Sequence, residues 1–439
     1  MVNNCKKKRA ALHNLGCKVN AYETEAMGKM LSDAGYDIVS FSEEADVYVI
    51  NTCTVTHTAD QKSRQMISRA RKKNPDATVV ATGCFVESSK KRPEHADIAI
   101  GNNRKAELLK LIEEYEKSRE PIEVFTDDNL KDKTFEPLRL SDTADHTRAF
   151  LKVQDGCNRF CSYCIIPFAR GPVRSRAVLD VMDEAKALTK KGFKEIVLTG
   201  IHLSSYLDEG HDNADLSDLI KALSVNPEIK RIRLSSLEPG IITRDFMEKV
   251  KDVEAFCPHF HLALQSGCDE TLKRMNRRYT TAEYKAACDL IREYYPDAAI
   301  TTDVIVGFPG ETDEEFERTR AFIKEIGFYE LHVFKYSKRK GTKAYDMKDQ
   351  VDENKKNERS RELISIGKEL SKEYRKKLMG SKEEILTEEP ENINGTEYYT
   401  GVTKHYVKMA VSAEGRERNV FYDGIVKEFL TEDILLLQT

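Results

Sequence analysis

Short apolar, β-branched runs alternate with stretches of helical periodicity from Arg9 to Leu111. Residues 10–15 read as a strand, residues 21–34 as a helix closed by Gly35, and residues 47–51 and 78–82 as strands of buried type. Such alternation predicts an open parallel α/β sheet. From residue 113 to 148 the pattern fades into charge, Asp, Thr, Pro121 and Pro137, as in an interdomain connection with room for a short strand at 122–125. The alternation then resumes, with strands expected at 149–154, 195–199, 231–235, 259–264, 299–306 and 330–334 and helices such as 178–190 and 282–294 between them. Six βα units predict a barrel or partial barrel whose functional loops gather at the strands' carboxyl ends. A helix of mixed charge at 353–378 leads to Gly380. The short alternating runs beyond it, at 384–386, 398–403, 406–411, 419–426 and 434–437, suggest a small β-barrel.

The fold class is therefore α/β, and we expect four segments: 1–115, a charged linker at 116–147, a central unit at 148–378 and a carboxyl-terminal barrel at 379–439. A length of 439 residues is consistent with about three domains. Hydrophobic residues at 40% and charged ones at 33% describe a soluble protein, and no apolar run approaches a membrane span. Residues 1–9 are basic but do not lead into a signal-peptide core, so a cytoplasmic location is expected. That compartment keeps thiols reduced, which turns the ten cysteines toward metal or catalytic roles.

The net charge of −4 decides nothing about nucleic acid, because local basic patches matter. Candidates are Lys62, Arg64, Arg69, Arg71, Lys72 and Lys73; Arg170, Arg174 and Arg176; Lys273, Arg274, Arg277 and Arg278; and Lys335, Lys338, Arg339, Lys340 and Lys343. Any one of them also reads as a solvated helix face.

The densest chemistry is Cys157-Asn158-Arg159-Phe160-Cys161-Ser162-Tyr163-Cys164, directly after the first strand of the central unit. Three thiolates this close can grip one inorganic body while leaving a four-iron cube one ligand short. A structural zinc site would need a fourth Cys or His at finger-like spacing, and neither His146 nor His202 is so placed. A disulfide with a spare thiol, or three plain buried cysteines, are the alternatives.

Cys17, Cys53 and Cys84 each follow the carboxyl end of a predicted strand, the edge where open α/β sheets bind ligands. Gly16 and Gly83 precede two of them, consistent with tight turns. A second three-thiolate cluster is the preferred reading, against ordinary core cysteines. Cys5, Cys257, Cys268 and Cys288 have no partner pattern and read as structural. Later strand ends carry Thr199-Gly200-Ile201-His202, Ser235-Ser236-Leu237-Glu238-Pro239, Gln265-Ser266-Gly267 and Val306-Gly307-Phe308-Pro309-Gly310-Glu311.

With both cysteine sets and the small barrel, the chain resembles the radical S-adenosylmethionine (SAM) methylthiotransferase family over nearly its whole length. Leu15-Gly16-Cys17-Lys18-Val19-Asn20 and the run from Cys157 to Gly171 resemble the branch acting on tRNA N6-threonylcarbamoyladenosine. His261-Leu262-Ala263-Leu264-Gln265-Ser266-Gly267 and Met275-Asn276-Arg277-Arg278-Tyr279 are similar to family segments too. The isopentenyladenosine branch typically has Gln and Met in place of Lys18 and Val19, and the ribosomal-protein branch typically a Pro after the first cysteine. Two departures stand out. The superfamily's Gly-Gly-Glu segment is matched only loosely by Thr199-Gly200-Ile201, and the tail is acidic.

The resemblance implies a methylthiotransferase domain, a radical SAM core and a TRAM barrel. It further implies a 4Fe-4S cluster on Cys157, Cys161 and Cys164 that reduces SAM to a 5′-deoxyadenosyl radical, and a second 4Fe-4S cluster on Cys17, Cys53 and Cys84 that delivers the methylthio group. Adenine C2 carries an unactivated C–H bond, so radical chemistry from a cofactor is required. SAM-binding candidates are Tyr163, Gly200, Ser235, Glu238, Gln265 and Val306, with Asp303 and Arg170 as lesser candidates for SAM or substrate contacts and Phe160 beside Tyr163 as shielding. Expected partners are the tRNA anticodon stem-loop and an electron donor such as a flavodoxin or ferredoxin, with no membrane. With no Trp in the chain, base stacking falls to Tyr, Phe, His or Arg. Alternatives are methylthiolation of isopentenyladenosine in tRNA or of a ribosomal-protein aspartate, or an RNA-binding protein with structural clusters. Oligomeric state has no signature in the sequence.

Overall fold

The computed structural model describes residues 7–140 and 147–439; Cys5 and His146 lie outside the described residues. Arg9–Asn14 (β1), Asp37–Val39 (β2), Val47–Thr52 (β3), Thr78–Gly83 (β4), Ile98–Ile100 (β5) and Ile122–Val124 (β6) form one sheet in the order β2-β1-β3-β4-β5-β6. All of its pairs are parallel. Every residue of β3 and β4 is buried, which is why these runs are apolar and β-branched throughout rather than alternating. Lys18–Asp33 (α1), His57–Lys73 (α2), Cys84–Ser89 (α3) and Leu108–Ser118 (α4) cover the faces. Thr56 caps α2 by accepting the Ala59 N–H, and Arg71, Lys72 and Lys73 sit in its last turn, where the helix dipole favours cations.

The sheet runs past residue 115. Strand β6 falls where a short strand at 122–125 was expected, and it pairs with β5 as the edge of this sheet.

In the central unit, Arg148–Lys152 (β7), Glu195–Thr199 and Arg231–Leu234 form one parallel sheet, and His259–His261, Ala299–Val306 and Glu330–Lys335 another. A parallel bridge from Leu237 to Leu262 joins them into an open barrel. The expected strand at 149–154 divides in two: after β7 the chain turns, and Gln154–Asp155 pairs antiparallel with Arg174–Ser175.

Along these strands one set of residues packs outward into the main core, among them Ala149, Leu151, Ile196, Leu198, Ile232, Leu234, Ile300 and Val304. By strict alternation the other set faces the lumen: Arg148, Phe150, Lys152, Glu195, Val197, Arg231, Arg233, His259, His261, Thr301, Asp303, Ile305 and His332.

Helix Glu353–Lys377 leads to a closed five-stranded barrel of Lys382–Ile393, Thr396–Val402, Lys408–Ser412, Leu435–Gln438 and Phe421–Phe429. Its first strand is far longer than residues 384–386, because a register shift between Thr387 and Pro390 lets the proline sit in the ladder. A loop of this barrel plugs the lumen's amino-terminal mouth. Tyr406 stacks on His259 at 4.8 Å, with the Arg233 guanidinium 4.9 Å from its ring centre. Arg231 donates to Val402 O at 2.6 Å and Arg233 to Thr403 O at 3.1 Å. Among the described residues no helix is long and apolar enough to cross a membrane.

Candidate functional site

Adjacent parallel strands bring the amino-terminal cysteines together. In register, Asn14 of β1 lies beside Asn51 of β3, and Thr52 of β3 beside Gly83 of β4, so the three strands end level. Cys17 then caps α1, Cys53 follows β3 and Cys84 opens α3. Gly16 and Gly83 take φ of +110° and +96°. A Cβ on Gly16 would come within 3.0 Å of Cys53 Sγ, and one on Gly83 within 2.5 Å of Thr52 O, so both turns require glycine.

Cys17 keeps exposed surface although protein surrounds it and burial pushes its thiol pKa up against the charge of Arg170. That combination describes a side chain facing an enclosed space. Burial raises Cys53 to about 11.

The other three cysteines lie beyond β7. Burial raises Cys157 to about 11 and Cys164 to about 12. The Arg159 N–H donates to Cys157 Sγ at 3.4 Å, and Arg277 Nη1 to Cys161 Sγ at 3.3 Å.

A buried network joins the two triads. Arg170, in the helix after Cys164, donates from Nη1 to Glu23 Oε1 at 2.9 Å and to Asp155 Oδ1 at 3.1 Å, and from Nη2 to Asn20 Oδ1 at 2.6 Å. Glu23 also meets Lys152 at 2.8 Å and Lys105 at 3.3 Å. Burial opposes the charge of Glu23, but the three cations outweigh it and hold its carboxyl well below the usual range. Asn102 donates to Cys84 Sγ at 3.7 Å and to Ala169 O at 2.7 Å, tying that cysteine to the opposite unit. Arg170 is thus spent on the junction and is no free contact for SAM or substrate.

The remaining candidates divide. Glu238 faces Arg159 Nε at 2.7 Å, Arg277 Nη2 at 2.9 Å and His202 Nε2 at 3.0 Å. Burial disfavours its charge, yet the His202 hydrogen bond and the neighbouring cations bring it down to about 2. Ser235 Oγ is buried and lacks a hydrogen-bond partner among the described residues. Gln265 holds a φ of +67° on a buried non-glycine residue, a strain that clusters at functional sites. Gly200 passes so close to Gln154 that a Cβ would lie 2.8 Å from its Oε1.

Tyr163 is enclosed, its ring 6.3 Å from that of Phe308, whereas Phe160 is 41% exposed and shields little. Val306 turns its side chain into the outer core, so only its backbone is directed at the site.

One basic patch fails as a surface, because Arg170, Arg174 and Arg176 are buried. In two others Arg274, Arg277 and Arg339 are committed to Glu315, Glu238 and Asp60, while Lys273, Arg278, Lys335, Lys338, Lys340 and Lys343 stay exposed. The α2 patch remains open: Arg64, Arg69, Lys72, Phe85 and His95 line a groove of about 610 Å³. In the lumen, the ligand atoms of His261, Asp303 and His332 lie within 4.8 Å of one another, close enough to share a cation, although His261 Nε2 already meets Asp303 Oδ2 at 3.2 Å.

Sequence reasoning missed Asn20, Glu23, Asn102 and Lys105. Asn20 closed the segment from Leu15 that resembles the family, but nothing local marked Glu23, Asn102 or Lys105.

Residues 151–323 match the radical SAM superfamily, and residues 9–101 match the uncharacterized protein family UPF0004. The chain is 44% identical to the threonylcarbamoyladenosine tRNA methylthiotransferase of Bacillus subtilis strain 168, over 91% of this chain and 89% of that one. It is 40% identical to the Aquifex aeolicus strain VF5 enzyme of the same name, over 91% and 97%. It is 34% identical to the tRNA-2-methylthio-N(6)-dimethylallyladenosine synthase of Acetivibrio thermocellus, over 91% and 84%. Among solved structures, the radical SAM methyltransferase TsrM from Kitasatospora setae aligns over 77% of both chains with a TM-score of 0.56 at 15% identity, a likeness of fold. With both cysteine triads on matched segments and close identity across nearly the whole length, the chain belongs to the radical SAM methylthiotransferase family, in its threonylcarbamoyladenosine tRNA branch.

Proposed function

We propose that this protein is a radical SAM enzyme that inserts a methylthio group at C2 of N6-threonylcarbamoyladenosine in tRNA, next to the anticodon. The observation that carries the reading is the pairing of two cysteine triads on facing strand ends, joined by Arg170 across the junction.

Both triads suit a 4Fe-4S cluster: Cys157, Cys161 and Cys164 for one, Cys17, Cys53 and Cys84 for the other. N–H donors from Arg159, Arg277 and Asn102 reach their sulfurs. Hydrogen bonds of this kind orient cluster thiolates and tune their potential. When bound, the clusters and SAM supply one-electron reduction, a carbon radical able to take the C2 hydrogen, and the sulfur to be transferred.

The chain's own residues do the rest. Ser235, with its unpartnered buried hydroxyl, Glu238, Gln265, Tyr163 and the backbone at Gly200 and Val306 line the SAM pocket. Burial around Tyr163 and Phe308 excludes water from the radical. The α2 groove, with Arg64, Arg69 and Lys72 beside Phe85, supports phosphate contact and base stacking by the anticodon stem-loop.

Electrons come from a flavodoxin or ferredoxin in the cytoplasm. The carboxyl-terminal barrel at 379–439 acts as a TRAM domain, the radical SAM core covers 148–378, and the methylthiotransferase domain extends from residue 1 through β6.

Mass spectrometry of tRNA nucleosides from cells with and without the gene tests the reading. Loss of 2-methylthio-N6-threonylcarbamoyladenosine on deletion is expected; an unchanged level would refute the substrate. Anaerobic incubation with SAM and reductant should yield 5′-deoxyadenosine, which a purely structural role for the clusters would not produce.

A further inference from the structure

Three neighbouring parallel strands of the central unit turn imidazole and carboxylate groups to one face. His261 ends the strand His259–His261 in register with Thr301, and Asp303, two residues further along Ala299–Val306, is in register with His332 of Glu330–Lys335. Alternation along a strand points Thr301 and Asp303 the same way, into the lumen, and the register carries His261 and His332 with them. The ligand atoms of His261, Asp303 and His332 all stand within 4.8 Å of one another.

Each donor is held differently. His261 Nδ1 lies 2.9 Å from Thr301 Oγ1, and the same hydroxyl lies 3.3 Å from His259 Nε2. That contact fixes the imidazole ring and leaves Nε2 directed at Asp303, 3.2 Å from Oδ2. Outer partners of this kind orient metal-binding histidines. Two donors of one tetrahedral ion, with bonds of about 2.0–2.1 Å, stand about 3.3 Å apart, so the His261–Asp303 separation fits a shared ion. A plain hydrogen bond has the same length, and the third residue separates the two readings. The His332 ring stands 5.5 Å from that of His261, and among the described residues its nitrogens make no hydrogen bond or ion pair. Its side chain is exposed, so the ring is free to turn. A hydrogen-bonded His–Asp pair gives no place to a second imidazole at this range, whereas an ion with three protein ligands does.

We propose that His261, Asp303 and His332 form a binding site for one divalent transition-metal ion on the lumen wall, apart from both cysteine triads. Two imidazoles and a carboxylate suit a borderline ion such as Zn2+ better than Mg2+, which prefers oxygen alone, or a thiophilic ion, which prefers sulfur. Among the described residues no cysteine joins the group. Three protein ligands leave a coordination position open to the lumen, where water or another oxygen donor completes the shell.

The test uses the full-length protein, reconstituted anaerobically with iron and dialysed against micromolar zinc. Elemental analysis should find about one zinc ion per chain, with the iron content unchanged. X-ray absorption at the zinc edge should show nitrogen and oxygen at about 2.0–2.1 Å and no sulfur near about 2.3 Å. Thr301→Val removes only the hydroxyl that holds His261 and should weaken zinc binding by roughly 10- to 100-fold. His332→Ala, at an exposed position, should weaken it at least as much while retaining its iron and its unfolding midpoint. Absence of bound zinc in the wild type would overturn the proposal. Zinc affinity unchanged in His332→Ala, or a sulfur shell around the wild-type ion, would overturn it equally.

Discussion

Arg170 Nη2 stands 2.6 Å from Asn20 Oδ1, and this contact bridges the helix that follows one cysteine triad and the helix that Cys17 of the other begins. The same guanidinium meets Glu23 and Asp155, with Lys105 and Lys152 completing a buried cluster of opposite charges. The network ties the two triads' units together, and Lys152 and Arg174 also reach Asp155, at 2.6 and 3.4 Å.

Removing the cation should therefore be severe. Breaking a buried ion pair costs about 3–5 kcal/mol, because the remaining charges stay desolvated. Arg170→Met is expected to lower denaturant stability by that amount. Arg170→Lys should recover only part of it, since one ammonium cannot reach Asn20, Glu23 and Asp155 together. Equal stability of Arg170→Met and wild type in a guanidinium titration would show that the junction is not built on this residue.

The turn before Cys84 gives a second expectation. A Cβ on Gly83 would meet Thr52 O and Asn51 Oδ1 at 2.5 Å, and Thr52 O is backbone that cannot swing aside. Gly83→Ala should cost more than about 1 kcal/mol and displace Cys84. Iron content after reconstitution should then fall from about eight to about four atoms per chain. Retention of all the iron would mean that the turn does not position that triad.

Much of this was legible beforehand, and the reasons are physical. Buried parallel strands read as continuous β-branched runs, so β3, β4 and Ala299–Val306 stood out, and with them the strand ends that carry Cys53 and Cys84. Gly16 and Gly83 were readable because their backbone conformations exclude other residues. The junction was not legible. Asn20, Glu23, Lys105 and Arg170 are separated by up to 150 residues, and nothing local distinguishes a lysine that will be buried in a charge network from one on a solvated face. Arg174 and Arg176 looked like a basic surface for the same reason.

Glu238 ties stability to pH. Its folded pKa of about 2 lies below the ordinary 4.5, so its contribution is fully present above 4.5 and is lost as pH falls toward 2. The shift corresponds to something on the order of 3 kcal/mol. In the apo-protein, the stability gap between wild type and Glu238→Gln should be constant from pH 7 to about 5 and narrow below that. A gap that widens on acidification would contradict the ion pairs drawn here from Arg159, His202 and Arg277.

The two triads sit in separate units, and that separation predicts separable chemistry. Cys157, Cys161 and Cys164 lie on the loop after β7, where Arg277 links Cys161 to Glu238. Cys17, Cys53 and Cys84 lie on the other sheet, with Ser63, Asn20 and Asn102 around them. On the proposed function, replacing the first three by Ala removes the triad that would hold the SAM-reducing cluster, so SAM cleavage should drop to background. Replacing the second three leaves that triad and its Arg159 and Arg277 donors untouched. Such a variant should still release 5′-deoxyadenosine while forming no methylthio product. Both activities are measured on the same anaerobic sample, after circular dichroism and the remaining iron confirm folding. Arg170 touches both units, so some loss of cleavage in the second variant is tolerable, up to the few-fold change that a shifted junction produces. Equal loss of cleavage in both variants, in folded protein, would mean that the two triads work as one centre and that the division of labour is wrong.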